Sequence, residues 1–211
     1  MKIAFINGSP KVKDSASGLI LEDLKKFIKE PSRISEHSFK KPYITEDELR
    51  KLSESDALVF AFPLYVDGIP SHLLGCLIQL EEYFKGADKS NIKVYAMVNS
   101  GFYEGEQNKL AIEMMENWCH KAGLIWGQGL CIGAGMMMHS VINVPPGHGP
   151  KKNLGEAFKV LGDNISNGNS GENLCITANF PKFLYKISGN FGWKQMIKKS
   201  GLKPRDLSRR L

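Results

Sequence analysis

Residues 57 to 61, Ala-Leu-Val-Phe-Ala, are apolar at five consecutive positions. A strand that keeps no polar side has to be covered on both faces, which suits the centre of a parallel sheet between two layers of helices. Similar runs recur at residues 2 to 6 and 92 to 98, and a fifth strand fits within residues 124 to 134. Residues 32 to 39 are a weaker candidate.

Helical spacing fills the intervals. Ile20, Leu24, Phe27 and Ile28 share one face, and Thr45 followed by Glu48 forms a capping box for a short helix ending near Ser53. Pro70 opens a longer helix that runs to about Phe84. Leu110, Ala111, Met114, Met115, Trp118, Cys119 and Ala122 mark a stripe that stops at Gly123, and a last helix is expected from about Leu154 to Ile165. The expected fold is α/β, a flavodoxin-like three-layer sandwich whose five-stranded, parallel, doubly wound sheet has the order 2-1-3-4-5. Residues 1–172 are expected to form this domain, and residues 173–211 a basic amphipathic extension.

Composition enters here by exclusion. Apolar residues make up 42% and charged residues 24% of 211 positions, a globular balance. No apolar run approaches the roughly 20 residues of a bilayer span, and the chain starts directly on a strand-like segment, so a cytoplasmic protein is expected. Cys76, Cys119, Cys131 and Cys175 are scattered without a CxxC, which argues for reduced, packed thiols. His139 and His148 lack the neighbours of a metal site, His120 lies on the polar side of its helix stripe, and His37 and His72 show no partner in the sequence, so no metal is expected. The net charge of +6 is unevenly spread. Residues 182–211 hold nine Lys or Arg and one acid, against 19 basic and 21 acidic residues in the remainder.

In a doubly wound sheet, ligands bind beyond the carboxyl ends of the strands, beside the point where the strand order reverses. The loops there are Gly8 to Gly18, Phe62 to Ile69 and Asn99 to Gly105. The first offers Ser9, Ser15 and Ser17, backbone amides and the positive end of a helix, all suited to a phosphate, although turn-forming residues alone could account for it. It is neither GxGxxG nor GxxxxGK[ST], so dinucleotide and triphosphate folds lose their fingerprint. The second places Pro63, Leu64, Tyr65 and Val66 where a planar ring could lie, or where a neighbouring helix or subunit could cover them. The third ends in polar Asn99 and Ser100, then Gly101, Phe102 and Tyr103, suited to the edge and face of an isoalloxazine.

SDALVFAFPLYVDGIPSHL following a GSPK-x-x-x-S-x-S loop resembles the flavodoxin-like NAD(P)H-dependent FMN reductases and quinone reductases over about residues 1 to 165. The resemblance implies that FMN phosphate meets Ser9, Lys11, Ser15, Ser17 and the backbone near Gly18. It places Pro63, Leu64, Tyr65 and Val66 along the flavin and Asn99, Ser100 and Gly101 at the ring edge, with Phe102 and Tyr103 bordering the substrate. Lys11 stands where Arg is frequent, and Asp14 puts a carboxylate in a phosphate loop, which must turn it outward.

The implied activity is a ping-pong transfer of hydride from NADH or NADPH through FMN to a quinone-like or other small acceptor. No protein acid or base is then required as a catalytic residue. A non-enzymatic FMN electron carrier is the alternative, and a scaffold without cofactor a second one. A homodimer is expected by the same resemblance, and nucleic acid is not an expected partner. For the tail, three readings stand open: packing on the domain or a second subunit, contact with an anionic membrane surface, or cations for a nucleotide phosphate. Its apolar spacing is expected to break into two pieces at Gly189-Asn190.

Overall fold

The computed structural model describes residues 1–29, 31–85, 91–203 and 205–206. In chain order the elements are β1 (Lys2–Asn7), α1 (Ala16–Lys25), β2 (Arg33–Ser38), α2 (Glu46–Ser53), β3 (Ala57–Pro63), α3 (Ser71–Lys85), β4 (Lys93–Asn99), α4 (Lys109–Ala122), β5 (Ile125–Ile132), α5 (Lys152–Asn167), β6 (Leu174–Ile176) and α6 (Lys182–Lys199). Short 3-10 turns precede α4 and follow β5.

All neighbouring strands pair in parallel, in the order β2-β1-β3-β4-β5-β6. This is the expected flavodoxin-like arrangement with one strand added. β6 is three residues long and pairs Leu174, Cys175 and Ile176 with Leu130, Cys131 and Ile132. It escaped the sequence reading because so short a strand carries no periodicity, and Gly168 to Asn173 before it reads as loop. The chain divides into compact units at Met1–Ala178 and Asn179–Leu211. Residues 173 to 178 therefore lie on the domain side of the division rather than in an extension starting at 173.

Strand side chains alternate between two cores. Ile3 and Phe5 pack with Ile20, Leu24, Phe158 and Leu161 of α1 and α5, whereas Ala4 and Ile6 face the layer built by α2, α3 and α4. β3 is buried from Ala57 to Phe62, in keeping with its two-sided apolar run. The capping box at Thr45 and Glu48 is formed, and Gly123 closes α4 with a left-handed φ of 70°.

A buried ion pair fastens the loop before α5 to α1: Lys151 Nζ lies 2.8 Å from Asp23 Oδ2, with both side chains under 10% exposed. All four cysteines are free thiols. Burial pushes the Cys76 thiol up to about 11, and its Sγ donates to the Lys41 carbonyl at 3.1 Å.

The second unit corrects one expectation. Residues 182–199 form one continuous helix, α6, with no break at Gly189-Asn190. No described helix is long and apolar enough to cross a membrane.

Candidate functional site

The topology brings three loops together. β1 is flanked by β2 on one side and β3 on the other, so the chain leaves β1 toward one edge and returns to its other side. The loop after β1 begins at Asn7, and this side chain organises it. Asn7 Oδ1 accepts from the Ser9 amide at 3.0 Å, and Asn7 Nδ2 donates to Ser15 Oγ at 3.0 Å. Ser15 is also the N-cap of α1, its Oγ accepting from the Gly18 amide at 3.0 Å. Ser9 Oγ accepts from the Lys11 amide at 3.3 Å.

A second asparagine acts from β4. Asn99 Nδ2 donates to Ser17 Oγ at 2.8 Å and to the Phe62 carbonyl at 3.0 Å, tying the first loop to the end of β3. A primary amide has two hydrogens, and both are committed. Asn99 therefore cannot donate to the edge of a ligand ring, and its part is to orient Ser17. Ser9 and Ser17 use their oxygens as acceptors toward the protein, which leaves each hydroxyl hydrogen to donate elsewhere.

The loop carbonyls are restrained as well. The His72 ring nitrogen Nε2 lies 3.1 Å from the Gly8 carbonyl, which must accept, so Nε2 carries the proton. Lys11 Nζ donates to the Asp14 carbonyl at 3.0 Å. Asp14 itself is exposed at a φ of 50°.

Two hollows flank this loop. One, of about 360 Å³, is lined by Ser9, Lys11, Ser15, Ala16 and Ser17 from the first loop and by Pro63, Leu64 and Tyr65 from the second. Asn99, Ser100 and Gly101 from the third loop, and Gly135, Met136 and His139 from the segment after β5, complete it. The other, of about 250 Å³, lies toward β2 and includes Lys13, Asp14, Gly18, Glu22, Glu36 and His37, while Lys11 and Ser15 line both.

The structure thus gathers most of the residues singled out in the sequence. Ser9, Lys11, Ser15, Ser17, Pro63, Leu64, Tyr65, Asn99, Ser100 and Gly101 share the larger cavity. Four stand elsewhere. Gly18 lines the smaller hollow, Val66 is fully exposed, Phe102 is about half exposed, and Tyr103 is half-buried outside the cavity lining.

Val66 and Asp67 are the centre of a tight hairpin turn in which the Tyr65 and Gly68 backbones exchange hydrogen bonds of 3.1 and 3.0 Å. Both central residues have positive φ, 49° and 58°, the type I′ geometry that Asn and Gly prefer and a β-branched residue resists. The turn holds Tyr65 at the cavity and sends Val66 into solvent.

Among the described residues two buried side-chain oxygens, Ser100 Oγ and Asn108 Oδ1, have no hydrogen-bond partner, and of these Ser100 lines the larger cavity. A buried hydroxyl left unpaired costs free energy that a ligand acceptor or donor can recover. Gly135 lets the segment after β5 close against it: a Cβ there would lie 3.0 Å from the Ser100 carbonyl and 3.1 Å from Asn99 Oδ1.

From that segment, sequence reasoning considered His139 only as a metal ligand and did not place it in the cavity lining, where Met136 also stands, exposed. The Asn7 clamp was also missed, though an amide at the last position of β1 was there to be noticed. Among the described residues, no group of three or more His, Cys, Asp or Glu is placed to hold a metal ion.

No family model and no curated protein matches the chain. Solved structures do match its fold. An NAD(P)H:quinone oxidoreductase from Methanothermobacter marburgensis superposes with a TM-score of 0.56 at 16% identity, covering 78% of this chain and 96% of that one. An NADPH-quinone reductase from P. pentosaceus gives 0.56 at 13%, covering 79% and 98%. An FMN-dependent NADH-azoreductase from Bacillus anthracis, in complex with FMN, gives 0.52 at 15%, covering 79% and 100%. At these identities the likeness is one of fold.

Proposed function

We propose that the chain is an FMN-dependent oxidoreductase that takes hydride from NADH or NADPH and passes it to a quinone-like or other small electron acceptor. The observation that carries this reading is the larger cavity. Loops from three strand ends enclose about 360 Å³, a size within the usual range for cofactor sites, lined by the hydroxyl-bearing Ser9, Ser15 and Ser17 and by Pro63, Leu64 and Tyr65. The names of the similar structures, two quinone reductases and an FMN-dependent azoreductase, point the same way.

The residues present fit FMN. Its phosphate would meet the Ser9 and Ser17 hydroxyls, the amides of the first loop and the positive end of α1. Asn7, through the Ser9 amide and the Ser15 hydroxyl, and Asn99, through the Ser17 hydroxyl, order the loop before any ligand arrives. Pro63, Leu64 and Tyr65 would lie along the ring, and the unpaired Ser100 Oγ supplies a hydrogen bond at a polar edge. When bound, FMN supplies the hydride chemistry, and the protein orients it and limits access of water. A homodimer is part of this reading, and size-exclusion chromatography with light scattering tests it.

The test is to reconstitute the purified protein with FMN, desalt it, and add NADH or NADPH without oxygen. Retained flavin whose visible absorption bleaches with a pyridine nucleotide is the expected result. Retained flavin that does not bleach would instead make the protein an electron carrier, and failure to bind FMN in direct titration would overturn the reading.

A further inference from the structure

The C-terminal unit has a charge and apolar pattern that the flavin reading does not use. Between Lys182 and Arg205 the sequence has no acidic residue. No residue of α6 is buried, and Phe183, Ile187, Phe191, Trp193 and Met196 are each more than half exposed.

The apolar residues of α6 do not form one stripe. Phe183, Leu184, Ile187 and Phe191 follow helical spacing on one side, with Lys182 and Lys186 opposite. Continued down the helix, that stripe meets Lys194 and Lys198. Trp193, Met196 and Ile197 instead continue the side on which Lys182 and Lys186 stand. Each half is amphipathic, and the two halves face opposite ways. Gly189 and Gly192 lie at the changeover, and a Cβ at either would meet nothing within 4 Å. Packing therefore does not require glycine at these positions, whereas a backbone able to turn there does.

We propose that α6 is a reversible anchor for an anionic lipid surface, and that it bends or unwinds at Gly189–Gly192 on docking so that both apolar halves enter the same leaflet. Charge decides in favour of lipid. A protein surface usually presents both signs, and a segment evolved against one would carry acids as well; here cations stand alone. Lysine stems lie along apolar surface while their ammonium groups reach headgroup phosphates, and Trp193 suits the boundary between tails and headgroups. The inference is independent of the flavin reading.

The experiment is sedimentation of the full-length protein with vesicles of phosphatidylcholine alone or mixed with phosphatidylglycerol, at low and high salt, with duplex DNA as a separate polyanion. The expected result is binding to the anionic vesicles at least about tenfold above neutral ones, falling with salt as the charges are screened. Lys194→Glu with Lys198→Glu should abolish the anionic preference, and Trp193→Ala should weaken binding to both compositions. The Gly189→Ala, Gly192→Ala double variant favours a straight helix and should bind about fivefold more weakly, with FMN retention unchanged. Equal binding to both vesicle types, or capture by DNA without vesicle binding, overturns the anchor. Undiminished vesicle binding by the double alanine variant overturns the bend.

Discussion

The two hollows on either side of the first loop share Lys11 and Ser15 yet differ in charge. The larger has hydroxyls, amides, one lysine, one histidine and apolar groups in its lining, and no carboxylate. The smaller mixes Lys11, Lys13, Lys25 and Lys40 with Asp14, Glu22 and Glu36, and its Lys25 is already paired with Glu22 at 2.7 Å and with Glu36. Cations that are neutralised locally do little for an anion arriving from solvent, whereas the Ser17 hydroxyl, which accepts from Asn99, keeps its own hydrogen to donate. One loop thus separates a side without carboxylates, to which the proposed function assigns the phosphate, from a side that mixes both signs of charge, and Asp14 belongs to the second.

The strongest way to break that difference is to put a carboxylate on the wrong side. Ser17→Asp places a negative charge in the larger cavity, where two like charges a few ångströms apart repel by several kcal/mol in a protein-like medium. FMN affinity should fall by about 100-fold or more, read by quenching of flavin fluorescence during titration. Affinity within a few-fold of the parent would mean that the phosphate does not sit at Ser17.

Asn99→Ala tests the clamp rather than the contact. It removes two donated hydrogen bonds, leaves the Phe62 carbonyl one donor short, and should cost about 1–3 kcal/mol in denaturant unfolding. With Ser17 free to rotate, FMN affinity should drop about tenfold, and riboflavin, which lacks the phosphate, should lose less. Equal losses for both ligands would show that Asn99 serves the ring and not the phosphate loop.

How far the sequence reveals this arrangement depends on the range of the signal. β3 announces itself because its apolar run is continuous, and Thr45-x-x-Glu48 sets the start of α2 within four residues. The three loops could be named because a parallel sheet puts its ligand at strand ends. What joins them could not. The Asn99 to Ser17 bond spans 82 positions and the Lys151 to Asp23 pair 128, and no local pattern records which of many polar residues will meet. Met136 and His139 reach the cavity through the position of β5 in the sheet, and Phe102, expected at the site from its place in the third loop and from the family resemblance, is about half exposed and outside the cavity lining. In α6 the sequence was misread differently: Gly189-Asn190 suggested a break, but two glycines weaken a helix without forbidding it.

A smaller effect comes from the turn that presents Tyr65. Val66 pays for a left-handed backbone with no packing in return, since it is fully exposed. Val66→Asn should therefore raise stability by about 1 kcal/mol while leaving FMN affinity within about twofold. A stabilised protein that binds FMN poorly would instead place Val66 against the ligand, enlarging the cavity side of the comparison at the expense of the solvent side.

The smallest effect belongs to the charged hollow. His37 lies there, its Nε2 3.1 Å from the Ser35 hydroxyl. Burial holds its pKa below the usual 6.5, with Glu48 opposing and Lys51 adding to the shift. The folded state thus binds the proton less readily than the unfolded chain, so stability rises with pH across this window. The contribution is fully present above about 6.5 and is lost as pH falls through the lower folded value. His37→Gln should flatten the pH dependence of denaturant unfolding between about pH 5 and 7, with FMN affinity at each pH matching the parent protein. A parallel change in FMN affinity would mean that the two hollows communicate through the shared Lys11 and Ser15, and the separation drawn between them would then fail.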